Sequence, residues 1–199
     1  MPVPTTASRM ADANAYGIAG LLGWPVAHSR SPTIHNYWLH RYGVSARYVL
    51  LPVPSEKLAI ALPGLSVLGF RGCNVTTPHK LAVMPLLDRI DPLARRIGAV
   101  NTIVVEKDGT LTGYNSDGNG FVQSLRDAKP DWRPDTGPIV VLGAGGAARS
   151  VVASLADQGA REIRLVNRTF ARAQGIASEF GPPVTAFPWE ERKDRKSVV

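Results

Sequence analysis

The stretch PIVVLGAGGAARS, residues 138–150, decides the fold. Its opening, PIVVLG, is apolar at every position before the glycine, which is how a parallel strand buried on both faces reads. Gly143-Ala144-Gly145-Gly146-Ala147-Ala148 follows, and the small and aliphatic residues after it continue a helix over 145–158. A strand that feeds G-x-G-x-x-A into a helix is a dinucleotide-binding fingerprint in its required context. The first glycine allows a tight turn, the second lets backbone N–H groups approach a pyrophosphate, and the third small position lets helix pack on strand. The free N–H groups and the positive dipole end of the helix favour a phosphate there. Gly143, Ala144, Gly145, Gly146, Ala147 and Ala148 are therefore candidate cofactor-binding residues.

The next strand selects the cofactor. An NAD site expects an acidic residue about 20 residues on, at the strand's end, to hold the ribose 2′-hydroxyl. Strand 161–167 ends instead in Asn167-Arg168-Thr169, with Arg172 one turn into helix 169–180. Two guanidiniums can clamp a 2′-phosphate through charge-assisted bonds, and the Thr169 hydroxyl can add another. NADP is the expected cofactor, with Asn167, Arg168, Thr169 and Arg172 at its adenosine-phosphate end.

Towards the N-terminus the same alternation continues. KPDWRPDTGP (129–138) is a Pro/Gly/Asp loop, preceded by a helix from Asp117 to about Ala128. Strands are expected over 16–23, 46–53 and 67–76, and a hairpin over 99–117, where Asp108-Gly109 is a turn signal between β-rich runs. Helices are expected from Ser31, over 55–62, and over 79–87. Ser31 reads as an N-cap before Pro32, with Ile34, Tyr37, Trp38 and Tyr42 as the apolar stripe. Strand–helix alternation makes the chain α/β. An N-terminal α/β domain is followed by an incomplete Rossmann-type dinucleotide-binding domain. The expected boundaries are a loose tail over 1–14, a substrate-binding and catalytic domain over 15–117, a partial cofactor domain over 118–191, and a basic tail over 192–199.

Composition excludes other classes. The chain has 199 residues, 44% hydrophobic and 20% charged, as in an ordinary globular protein. One cysteine, Cys73, permits no intrachain disulfide and no cysteine-based metal site, which fits a cytoplasmic protein without a metal. No apolar run approaches the roughly 20 residues of a membrane helix, so no membrane partner is expected. The formal charge of +7 invites a nucleic-acid reading, but much of the excess lies in RKDRKSVV at the end. A small-molecule substrate is expected, not a nucleic acid.

Three polar segments sit at the expected ends of strands, where ligands bind in open α/β sheets. HSRSPTIHN (28–36) offers Ser29 and Ser31, two apart, so that both hydroxyls can face a polyol or carboxylate. NVTTPHK (74–80) offers Lys80. GAVNT (98–102) with GYNSDGNG (113–120) offers Asp117. A lysine beside an aspartate can pass a proton to or from a hydroxyl or carbonyl oxygen, so Lys80 and Asp117 are the candidate catalytic pair. Asp117 can equally cap the following helix.

GWPVAHSRSPTIHN, GCNVTTPHK, GAVNT, GYNSDGNG, GAGGAAR and NRT together resemble, in order and spacing, the shikimate dehydrogenase family. The resemblance implies NADPH-dependent, reversible reduction of 3-dehydroshikimate to shikimate, on the route to chorismate and aromatic amino acids, with quinate as the alternative substrate. It implies that Ser29 and Ser31 bind the substrate carboxylate and that Asn74 and Thr76 line the site. It further implies that Asn101 and Asp117 bind substrate hydroxyls, and that Lys80 is catalytic beside Asp117. Ser116 stands where the family usually has threonine. After Glu191 the sequence ceases to resemble the family, whose members continue with further strands and a returning helix. The expectation is a C-terminally truncated shikimate dehydrogenase, monomeric or homodimeric, with strand 138–143 an exposed edge; the alternative is a non-catalytic remnant that binds ligand only.

Overall fold

The computed structural model describes residues 16–194. The expected tail over 1–14 and the last five residues of the basic tail lie outside the described residues. In the first sheet β1 (Gly17–Gly23) pairs in parallel with β2 (Ala46–Pro52) on one side and β3 (Phe70–Val75) on the other. Beyond β3 come β5 (Thr102–Val105), β6 (Leu111–Tyr114) and β4 (Arg89–Ile90), giving the order β2-β1-β3-β5-β6-β4. β5 runs antiparallel to both β3 and β6. The expected hairpin turn is closed by Asp108 Oδ1, which accepts from the Thr110 N–H at 3.0 Å and its hydroxyl at 2.6 Å. Asn74 pairs with Thr102, and Thr102 with Tyr114. The carboxyl ends of β1, β3 and β6 therefore share one edge with the start of β5, and the polar segments meet there.

One face of this sheet is covered by α2 (Leu58–Val67), which buries Leu58, Leu62 and Leu65 against Leu22, Val75, Val100 and Ile103. This helix differs from the expected 55–62. Residues 55–57 form a 3-10 turn, and the helix runs on through Pro63 and Gly64. The i, i+4, i+7 leucines outweigh two poor helix formers. The expected helix 79–87 is interrupted because Pro85 lacks an N–H: α3 (His79–Ala82) is followed by a 3-10 turn over Met84–Leu86.

The other face carries α1 (Ser31–Arg41), and here the expected stripe is wrong. Ile34, Tyr37, Trp38 and Tyr42 are all exposed, Tyr42 at 73%. The helix packs instead through His35, Asn36 and Leu39. The His35 ring stacks on Tyr48 with centroids 4.1 Å apart, Asn36 brackets the Tyr48 backbone N–H and C=O at 2.9 and 2.8 Å, and Leu39 joins Leu21 and Val26. The helical period holds, but the docking face is set by the partners Asn36 and His35 find on Tyr48 and not by apolar content. Ser31 is the first helical residue and not the N-cap: Arg30 holds the N-cap position without a side-chain capping bond, and Ser29 Oγ accepts the Ser31 N–H at 3.2 Å. A groove of about 440 Å³ opens between α1 and the sheet, with Asn74 and Thr102 among the residues that line it.

The second sheet is parallel, in the order β7 (Ile139–Leu142), β8 (Ile163–Asn167), β9 (Val184–Pro188). α6 (Gly146–Asp157) and α7 (Phe170–Phe180) bury Val152, Leu155, Ala173 and Ile176 against Ile139, Val141, Ile163 and Leu165. β9 escapes a sequence reading because Pro182 and Pro183 precede it and Pro188 ends it. Among the described residues β7 pairs on one side only, and its Leu142 is 44% exposed, as expected of an edge.

α5 (Asp117–Ala128) lies on α6. A Cβ on Gly118 would stand 2.1 Å from Ser154 Oγ and 2.3 Å from Ser150 O, so this glycine allows the helices their close approach. An element the sequence reading passed over, α4 (Pro92–Ile97), starts where Asp91 Oδ1 accepts the Leu93 N–H at 2.9 Å and stops at Gly98, whose φ of +70° favours glycine. Ile97 and Ala99 pack on Ala153 of α6, with Leu93 and Phe180 beside them.

Candidate active site

Lys80 is the second residue of α3 and Asp117 the first of α5. Lys80 Nζ donates to Asp117 Oδ2 in an ion pair whose side chains are 16% and 26% exposed. The other carboxylate oxygen accepts from Asn101 Nδ2 at 2.7 Å. Asp117 is thus engaged by its side chain with Lys80 and Asn101. The N-cap position belongs to Ser116, whose side chain makes no capping bond.

Asn101 is nearly buried and uses both ends of its amide. Nδ2 also donates to Ser116 Oγ at 3.1 Å, while Oδ1 accepts from the Thr102 hydroxyl at 2.9 Å and the Ser116 N–H at 3.1 Å. Asn74 Nδ2 donates to Thr102 Oγ1 at 3.2 Å, and the Tyr48 hydroxyl donates to Asn74 Oδ1 at 2.7 Å. One continuous chain of bonds links Tyr48, Asn74, Thr102, Asn101, Asp117 and Lys80 across three strands and two helices. Such a chain orients each member through its neighbours. Asn115 fixes its end, accepting the Asp117 N–H at 3.1 Å while its own amide donates to Ala99 O at 2.9 Å. Below it, Val100 N–H donates to Lys80 O at 2.8 Å.

Tyr48, Thr102 and Asn115 were missed as site residues. Tyr48 sits in a β-rich run where a tyrosine reads as core; its signal was the buried hydroxyl, which needs a partner. Burial, with a smaller contribution from Cys73, pushes the Tyr48 phenol up to about 12, and burial pushes the Cys73 thiol up to about 12. Tyr48 therefore remains a donor, and Cys73 a neutral packing residue, through the neutral pH range.

The expected serines lie on the loop leaving β1. That loop runs beside the one leaving β3, with the Trp24 N–H donating to Thr77 O at 3.1 Å. Ser29 Oγ donates to Ser31 Oγ at 3.2 Å, so the two hydroxyls are paired as the spacing suggested. Thr76 turns its methyl towards Gly23, where a Cβ would stand 2.5 Å away, and its N–H donates to Leu22 O at 2.8 Å.

The glycine loop faces the same cluster. Gly143 has φ +116°, a conformation that demands glycine, and its N–H donates to Val166 O at 2.8 Å. Cβ atoms on Gly143 or Gly145 would meet nothing within 4 Å, which leaves an open cradle at the N-terminus of α6. A Cβ on Gly146 would instead stand 3.2 Å from Lys80 Cβ and 3.3 Å from Lys80 Cδ. Ala144 and Ala148 pack onto the core of the second sheet. Asn167 Nδ2 donates to Thr169 O at 2.8 Å, closing the turn after β8. Arg168, Thr169 and Arg172 are exposed, and the ion pairs among the described residues leave both guanidiniums free. No group of three metal-ligating side chains occurs among the described residues, and none of the described helices is long and apolar enough to cross a membrane.

Comparison with known proteins bears on this arrangement. Residues 21–103 match the family model of the shikimate dehydrogenase substrate binding domain, and residues 131–195 that of shikimate / quinate 5-dehydrogenase. A shikimate dehydrogenase (NADP(+)) from Paramagnetospirillum magneticum is 55% identical over 177 residues, 89% of this chain and 64% of that protein. Shikimate 5-dehydrogenase from Thermus thermophilus in complex with shikimate superposes with a TM-score of 0.81 at 38% identity, covering 92% of this chain and 68% of that one. The same enzyme in complex with NADP(H) and shikimate gives 0.80 at 38%, covering 92% and 67%. The chain spans under two thirds of the length of the curated relative. Both halves match in chain order and at this level of identity, and on that ground the chain belongs to the shikimate dehydrogenase family.

Proposed function

We propose that this chain binds shikimate and NADP and interconverts shikimate and 3-dehydroshikimate, a step towards chorismate and the aromatic amino acids. The observation that carries the reading is the juxtaposition of an acid–base pair with a phosphate loop: Lys80, paired with Asp117, packs directly against Gly146 at the start of α6. The named relatives and the structures with shikimate and NADP(H) support the same chemistry.

The residues fit a dinucleotide. The cradle at Gly143 and Gly145 would take its diphosphate, bonded by the free N–H groups at the head of α6. Arg168 and Arg172, with Asn167 and Thr169, would hold the 2′-phosphate. When bound, the nicotinamide supplies or removes the electron pair at the substrate carbon. Ser29 and Ser31 would bind the carboxylate, and Asn74, Thr76, Asn101 and Asp117 the ring hydroxyls. In the reductive direction Lys80 Nζ gives a proton to the substrate oxygen as charge develops on it, and the ion pair with Asp117 holds Nζ in place. The pair is partly open to water, so the proton can be replaced from solvent. A cytoplasmic setting fits the free Cys73, and the active unit is taken as a monomer or homodimer.

Isothermal titration tests the assignment. NADP+ is expected to bind at least about tenfold tighter than NAD+, and shikimate tighter than quinate. Ser29→Ala with Ser31→Ala is expected to weaken shikimate alone. Tighter binding of NAD+, or no binding of shikimate, would overturn the reading.

A further inference from the structure

Arg149 stands one turn after Gly146 on α6, and its side chain is only 11% exposed. It points away from the open cradle and into the other half of the molecule. Arg149 Nε donates to Ile97 O at 2.7 Å, at the C-terminal end of α4. The remaining face of the guanidinium pairs with Glu179 of α7, and its Cζ lies 5.8 Å from the Phe180 ring centroid. The neighbouring backbone is shaped to this group: a Cβ on Gly98 would stand 2.5 Å from Arg149 Nη2 and 3.0 Å from Cζ. A carbonyl from the first half and a carboxylate from the second thus share one planar fork, a geometry that lysine cannot reproduce.

We infer that Arg149 is a positioning residue, a latch that sets the separation between the glycine loop and Lys80. The linkage is short. Ile97 belongs to the segment that leads through Val100, whose N–H bonds the Lys80 carbonyl, and Arg149 shares a helical turn with Gly146, which packs on Lys80. Contacts between two halves of a chain allow relative motion unless something specific holds them. Here the fork does so within one turn of the loop it positions. The inference bears on the proposed reaction and rests on that reading only in its turnover arm.

The test measures the separation directly. Cysteines introduced singly at Lys107 and Gln174, both exposed and in opposite halves, carry nitroxide labels in the full chain. Cys73, 4% exposed, stays unlabelled. Pulsed electron spin resonance then reads the distance distribution without any ligand. Arg149→Met is expected to broaden it at least about twofold, since the apolar stem remains and both polar anchors are lost. Glu179→Gln keeps the bond to Ile97 O and is expected to leave the width as in the parent. Arg149→Lys is expected to fall between. A distribution in Arg149→Met as narrow as the parent's would overturn the latch, as would equal broadening in Glu179→Gln. In the turnover arm, Arg149→Met is expected to lower kcat at least about tenfold while each ligand alone binds within about threefold of the parent, because misplacement of around an ångström costs rate more than affinity. Loss of ligand affinity with an unbroadened distribution would assign Arg149 to binding instead. Absence of binding by the parent would refute the proposed function and leave the distance arm to decide the latch.

Discussion

Replacing Asn101 with alanine removes the hub of the polar chain. Four bonds go: two donated by Nδ2, to Ser116 Oγ and Asp117 Oδ1, and two accepted by Oδ1, from Thr102 and the Ser116 N–H. They are not equal. Ser116 is exposed, so water replaces both of its bonds at little cost. The bond to the Asp117 carboxylate is charge-assisted, worth about 1.5–3 kcal/mol, and the Thr102 bond is a neutral one of about 1 kcal/mol. The expected loss of stability is therefore about 3 kcal/mol, read by urea unfolding followed by circular dichroism at neutral pH. Ser116→Ala, by the same argument, is expected to stay within about 0.5 kcal/mol of the parent. A double-mutant cycle with Asp117→Asn isolates the charged bond and should return a coupling of about 1–2 kcal/mol. Asn101→Ala within about 0.5 kcal/mol of the parent, or strict additivity in the cycle, would refute the view that Asn101 holds the aspartate.

Other expectations follow from single contacts. Gly118→Ala gains about 1 kcal/mol of helix propensity but drives a methyl into Ser154 Oγ and the Ser150 carbonyl, so a net loss of about 1–2 kcal/mol is expected in the same unfolding assay. Ser154→Ala should rescue only part of it, because the Ser150 obstacle is backbone. Arg168→Ala combined with Arg172→Ala should abolish the preference for NADP+ over NAD+ in direct titration, a change of about tenfold or more. Cys73 and Tyr48 both have folded values raised to about 12 from 9.0 and 10.0. Between those limits the folded chain keeps protons that the unfolded chain has released, so stability should fall as pH rises above about 9. Each retained proton contributes a slope of about 1.4 kcal/mol per pH unit. Denaturation across roughly pH 8–11 checks this, and Cys73→Ala should flatten the onset.

The parts legible in the sequence were those whose physics is local. The all-apolar strand into Gly143 and the carboxylate-free end of β8 carry their reasons in adjacent residues. Lys80 and Asp117 were legible as residue types able to exchange a proton, and the family resemblance, not local physics, gave Asn101 its role. What escaped was set by tertiary packing. α1 has a stripe of the right period, yet the face that docks is His35, Asn36 and Leu39, because Asn36 satisfies the Tyr48 backbone and His35 stacks on its ring. α4 is a short helix with clear start and stop signals at Asp91 and Gly98, too brief for its periodicity to register. The contact between Gly146 and Lys80 joins distant parts of the chain, and no local pattern encodes it.

The central claim is that Lys80 moves the proton in a shikimate:NADP oxidoreductase. Shikimate-dependent formation of NADPH, followed by its absorbance in parent and Lys80→Met, tests it most directly. The expected result is turnover by the parent and a kcat lowered at least about a hundredfold in the variant, with shikimate affinity within about threefold. A Lys80→Met chain that keeps its kcat and only raises KM would contradict it.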